Sequence, residues 1–157
     1  MTSVDLLSDS SDVLLLNEAL FTRNRRAGYV LKSEALGIAG VSQLLKLTLL
    51  SGSQLRGQGE AYLQVIMRGE TSEEKYCTKG GGSGVMPIWK EECQFLISEP
   101  ELAFLHFKVT SAASGKSEML GQQVVGVRNL RTGLRAVPLV GDDLESSARL
   151  LVYLNFA

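Results

Sequence analysis

Gly115-Lys116-Ser117 has the residue types that close a phosphate-cradling loop, in which main-chain N–H groups and a lysine hold the anion. The opening glycine of such a loop would fall on Thr110, and no helix is predicted to follow whose N-terminus could take the charge. The segment reads instead as a polar loop tip. Ser83, set among Gly80, Gly81, Gly82 and Gly84, resembles a nucleophile elbow, but the closing glycine position is Val85. His106 is the one histidine, so any serine or cysteine nucleophile would depend on it alone, and nothing in the spacing places a nucleophile beside it. With Cys77 and Cys93 it offers no paired spacing for zinc. These residues predict no catalytic centre and no metal site within the chain.

The elements that carry them are short and extended. Leu45, Leu47 and Leu49 share one face of a strand opposite Lys46 and Thr48, and Tyr62 to Met67 forms a second strand before a turn at Gly69. Cys93, Phe95 and Ile97 alternate with Glu92, Gln94 and Leu96, while Leu105, Phe107 and Val109 alternate with His106 and Lys108. Leu120 to Val127, Leu134 to Leu139 and Arg149 to Phe156 complete the series. With turns of Gly, Ser, Asp and Pro and no long amphipathic helix, the pattern predicts an all-β sandwich. Gly80 to Gly84 is expected to be a flexible loop.

Ahead of these strands, Asp12 to Phe21 is an apolar run fit for one or two helical turns, and Tyr29 to Lys32 is a brief strand entered through Gly28. A linker from Gly37 to Ser42 follows. The domain division expected is therefore 1–40 as an irregular extension and 41–157 as the sandwich.

Sixteen basic and seventeen acidic residues balance to a net charge of −1. Such a chain lacks the basic excess that non-specific nucleic-acid binding needs, so no nucleic-acid partner is expected. Purely electrostatic attachment to anionic membrane is disfavoured for the same reason. No stretch reaches the roughly 20 apolar residues of a membrane span. Met1 to Ser11 lacks a basic start and includes Asp5 and Asp9, unlike a secretory signal. Two cysteines make no disulfide framework, so the expected setting is cytoplasmic, with at most peripheral membrane contact.

Met86-Pro87-Ile88-Trp89-Lys90-Glu91-Glu92-Cys93-Gln94-Phe95 resembles the C2-domain pattern in which Asn-Pro-x-Trp-Asn-Glu leads into an aromatic-bearing strand. Pro100-Glu101-Leu102-Ala103 with Leu105, Phe107 and Val109, then Leu120-Gly121-Gln122, Gly133 to Leu139 and Ala148 to Leu154 follow the order of C2 segments in phosphoinositide-specific phospholipase C. Upstream, Leu16-Asn17 with Phe21, and Gly28-Tyr29-Val30-Leu31-Lys32, resemble the end of that family's catalytic Y region. Arg25-Arg26-Ala27 replaces the usual Gly-Gly-Cys, and Ser33 replaces a proline. The resemblance implies a C2-type antiparallel eight-stranded β-sandwich that follows the stump of a catalytic barrel. It also implies that the barrel is the partner in cis, and that the parent hydrolyses phosphatidylinositol 4,5-bisphosphate to inositol trisphosphate and diacylglycerol. The family's catalytic histidines and catalytic calcium ligands lie upstream of the matched region, so no cofactor is expected here.

Calcium-binding C2 domains collect aspartates on loops at one end, because the ion takes about six to eight hard oxygens. By the family spacing, one ligand loop becomes Glu60-Ala61-Tyr62 and the other Thr110-Ser111-Ala112, with Glu118 further on. Two carboxylates remain, so calcium independence is expected. Arg56 and Lys116 would sit on the loop tips with little exposed apolar surface beside them. Arg25 and Arg26, with Arg23, form a second basic group that could touch lipid headgroups or an acidic partner. A free-standing, calcium-independent C2 module binding a protein or phospholipid is the alternative. The two differ in what covers Leu14, Leu15, Leu20, Phe21 and Val30.

Overall fold

The computed structural model describes residues 15, 19, 42–69, 72–113, 115–141 and 148–157. Among the described residues, nine strands form two wholly antiparallel sheets: β1 (Gln43–Ser53), β2 (Glu60–Arg68), β3 (Glu73–Cys77), β4 (Gly82–Ser83), β5 (Ile88–Ile97), β6 (Phe104–Ala113), β7 (Lys116–Gly126), β8 (Gly133–Pro138) and β9 (Arg149–Phe156). One sheet runs β5-β1-β9-β8 and the other β3-β2-β6-β7, with the two-residue β4 pairing β2. The other eight strands match the eight-stranded sandwich expected.

The core follows from two-residue periodicity. Leu45, Leu47 and Leu49 of β1 are buried, as are Cys93, Phe95 and Ile97 of β5, Leu105, Phe107 and Val109 of β6, and Leu150, Val152 and Leu154 of β9. They form one cluster between the sheets, so sheet-to-sheet apolar burial is the main stabilising term. Burial pushes the Cys93 thiol up to about 12, leaving it a packing group at neutral pH. Trp89 belongs to the same cluster, and its indole Nε1 donates to the Ala61 main-chain oxygen at 2.9 Å.

His106 lies on the opposite face of β6 yet is also buried, with its Nε2 2.9 Å from Gln122 Oε1. Leu15 and Ala19 are helical, four residues apart and so on one side of a helix, and pack against Phe104 and Val124 on that outer face. The helical reading of Asp12 to Phe21 is thus met at Leu15 and Ala19. Tyr29 to Lys32, the linker and the other extension residues lie outside the described residues.

Two local expectations change. The glycine run is not simply a loop, because Gly82 and Ser83 pair with Ala61 and Glu60. Gly82 is buried against Pro87, and a β-carbon there would overlap the proline ring. Glu73–Cys77 forms an edge strand beside β2 that alternation did not reveal, since most of it is exposed.

Candidate functional site

The antiparallel register brings the β1–β2 loop (residues 54–59), the β4–β5 turn and the β6–β7 hairpin to one end of the sandwich. Glu60 pairs with Ala112 and Ser83, and Ser51 with Ile88, which fixes that common end. Leu55 is buried and anchors the first loop, while its N–H donates to the Val85 oxygen at 3.2 Å. Gly57 lies against Leu120, where a β-carbon would sit 2.7 Å from the leucine methyls. Gly59 has φ of 90°, and a β-carbon there would overlap the Ala112 main-chain oxygen. Both glycines permit the close approach of loop to hairpin.

Between them is a cleft of about 500 Å³ lined by Arg56, Gly57, Gln58, Ser111, Ala113, Lys116 and Glu118. Ser111 faces Glu118 across the β6–β7 ladder, and Ala113 faces Lys116. Ser111 is 2% exposed and its hydroxyl has no hydrogen-bond partner among the described residues. Arg56, Lys116 and Glu118 make no hydrogen bond or ion pair among the described residues. The cleft therefore combines two uncommitted cations, one uncommitted carboxylate and one buried hydroxyl.

Of the residues singled out by sequence, Arg56, Lys116 and Glu118 are brought together here. Glu60 is not: its carboxylate accepts from the Tyr62 hydroxyl at 2.6 Å. That bond, together with the carboxylate's charge, raises the Tyr62 pKa. Arg25 and Arg26 lie outside the described residues. Ser111 was missed as a cleft residue because the family spacing points to Thr110 and Ala112. A register shift between Val109 and Thr110 precedes the hairpin, and Ser111 and Ala113 line the cleft.

The expectation of little exposed apolar surface at the loop tips is overturned. Val85, Met86 and Ile88 are 59%, 66% and 62% exposed at this same end. The Gly52 and Leu55 N–H groups hold the Pro87 and Val85 oxygens, so the segment is pinned by its main chain with these side chains outward. Nearby, the Glu91 carboxylate accepts from the Tyr76 hydroxyl at 2.7 Å and from the Lys79 and Gly80 N–H groups at 3.0 and 3.1 Å. Burial pushes the Glu91 pKa up, but these hydrogen bonds outweigh it and the net shift is downward.

An antiparallel sandwich that gathers its loops at one end defines the class of module. The chain belongs to the C2 domain family, whose model matches residues 43–138. It is 30% identical over 167 aligned residues to the mouse "Inactive phospholipase C-like protein 2", covering 90% of this chain and 15% of that protein. It is 26% identical to the Xenopus laevis "1-phosphatidylinositol 4,5-bisphosphate phosphodiesterase delta-4", covering 82% of this chain and 20% of that one. The chain thus spans a fifth or less of either relative. The L. pealei PLC21 structure shares the fold with a TM-score of 0.69 at 17% identity, over 92% of this chain and 21% of that one. The kinship expected from Trp89 and its neighbours is present, and the chain is a C2 domain related to the phosphoinositide phospholipases C.

C2 domains raise the question of calcium, and the cleft lining can be compared with what that ion needs. Glu118 is the one carboxylate of the lining, and Arg56 and Lys116 add positive charge to the same cleft. These residues do not fit a calcium ion. Among the described residues no group of three or more His, Cys, Asp or Glu side chains converges elsewhere.

Proposed function

We propose that this chain is the C2 part of a phosphoinositide phospholipase C-type protein. It serves, without calcium and without catalytic chemistry of its own, to buttress a catalytic barrel in cis and orient it at the membrane. The parent's reaction on this reading is hydrolysis of phosphatidylinositol 4,5-bisphosphate, by kinship with the frog enzyme. The observation that carries the proposal is the reach of the likeness. The sandwich begins at Gln43, yet the mouse and frog relatives align with 90% and 82% of the chain. Residues ahead of the sandwich belong to the likeness, which supports reading 1–40 as the end of a barrel and 41–157 as the C2 domain. A cytoplasmic setting with peripheral membrane contact goes with it. No helix among the described residues is long and apolar enough to cross a membrane.

One observation favours a second reading, a free-standing calcium-independent module. Leu15 and Ala19 cover Phe104 and Val124 of the sandwich itself. Reading the transcript upstream of the Met1 codon separates the two. An in-frame barrel with both catalytic histidines is the expected result, and an in-frame stop codon directly upstream would favour the module.

A further inference from the structure

We propose that the cleft between the β1–β2 loop and the β6–β7 hairpin binds a phosphate group directly, through Arg56, Lys116 and Ser111. The inference rests on the calcium-independent reading of this end of the domain. Folding brings two cations from separate loops to one cleft without giving either a counter-ion among the described residues. Like charges so gathered repel, and an anion between them turns that cost into attraction. Ser111 is the second, independent sign. A hydroxyl 2% exposed and without a partner among the described residues carries a desolvation cost that a ligand oxygen would relieve.

The donor set suits a phosphate oxygen triad. Guanidinium offers a planar fork, ammonium a mobile point charge and the serine a short fixed donor. Glu118 also lines the cleft and opposes an anion, so the three charged groups sum to a single positive charge. The proposed ligand is therefore a single phosphate group, carried by a lipid headgroup or free in solution. Val85, Met86 and Ile88 stand exposed at the same end, beside a loop hydrogen-bonded to the one bearing Arg56. They supply apolar contact for a lipid-borne phosphate that a soluble one would not use.

Two arms test this in the presence of a calcium chelator. Phosphatidylcholine vesicles with and without phosphatidic acid are sedimented with the full chain, and inorganic phosphate is titrated in a thermal-shift assay. Retention on phosphatidic-acid vesicles is expected, about fivefold weaker for each of Arg56→Ala and Lys116→Ala. Glu118→Gln should tighten it. Ser111→Ala should weaken binding while raising the melting temperature, an opposition that a merely structural serine would not produce. Lys46→Ala, on the opposite end of β1, is the control for bulk charge. A shift with inorganic phosphate but no vesicle retention would keep the site and assign it a soluble phosphate. The proposal is overturned by no response in either arm, or by equal losses in Lys46→Ala and the cleft variants. Binding that appears only when calcium is restored would also overturn it, together with the calcium-independent reading. Failure of binding alone leaves the upstream reading frame, and so the family assignment of the parent, as a separate outcome.

Discussion

The Trp89 indole reaches across the sandwich to the Ala61 main-chain oxygen, tying β5 of one sheet to β2 of the other at 2.9 Å. The tie lies one residue from Glu60, where β2 leaves the loop that carries Arg56. Trp89→Phe keeps most of the apolar contact but removes that hydrogen bond, and should cost about 1 kcal/mol in urea unfolding. An unchanged midpoint would show that the hydrogen bond is dispensable.

Gly59 tests how the cleft is held open. Its φ of 90° and its approach to Ala112 leave no room for a side chain. Gly59→Ala should lower stability by about 2 kcal/mol or more, whereas Gly84→Ala, also at positive φ but in open space, should cost only about 1 kcal/mol. Thermal melts of the two variants compare them directly.

Lys90 has φ of 54° where β5 carries one residue more than β1 between Leu49 and Ser51. A β-branched side chain is disfavoured in that conformation, so Lys90→Val should lose about 1–2 kcal/mol while Lys90→Gly holds its stability. Equal losses in chemical denaturation would place the constraint in the lysine side chain instead.

Glu91 gives the acid limb of stability its sign. Its folded pKa is lowered, so its stabilising effect is complete above the unfolded value near 4.3 and fades as pH falls through the lower folded value. Its partner Tyr76 is held up at about 12, first by the hydrogen bond to this carboxylate. Glu91→Gln should cost about 1 kcal/mol at neutral pH, less toward pH 3. A constant difference between the two proteins across that range would contradict the assignment.

The strands that one could read from residue order are those with one clean buried face. Leu45, Leu47 and Leu49 alternate with less buried neighbours because β1 sits inside its sheet with one side on the core. Edge strand β3 was hidden, since Glu73, Glu74 and Lys75 are all exposed and Glu73 is engaged by Arg68 and Lys75. The first four residues of β7 are exposed as well, extending the hairpin past the core where no apolar period marks it. Arg56, Lys116 and Glu118 were legible as loop charges, but their meeting at Ser111 depends on ladder register and on Gly57 and Gly59. Val85 and Met86 were obscured by the glycines before them, although main-chain hydrogen bonds give that turn a defined course.

The proposal that this domain works without calcium is tested most directly by melting the chain in a chelator and in about 1 mM calcium. A ligand that binds only the folded state raises the midpoint with its concentration. The same midpoint is expected in both. A rise that grows with calcium would place an ion in the domain and contradict the proposal, and loss of that rise in Glu118→Gln would place the ion in the cleft itself.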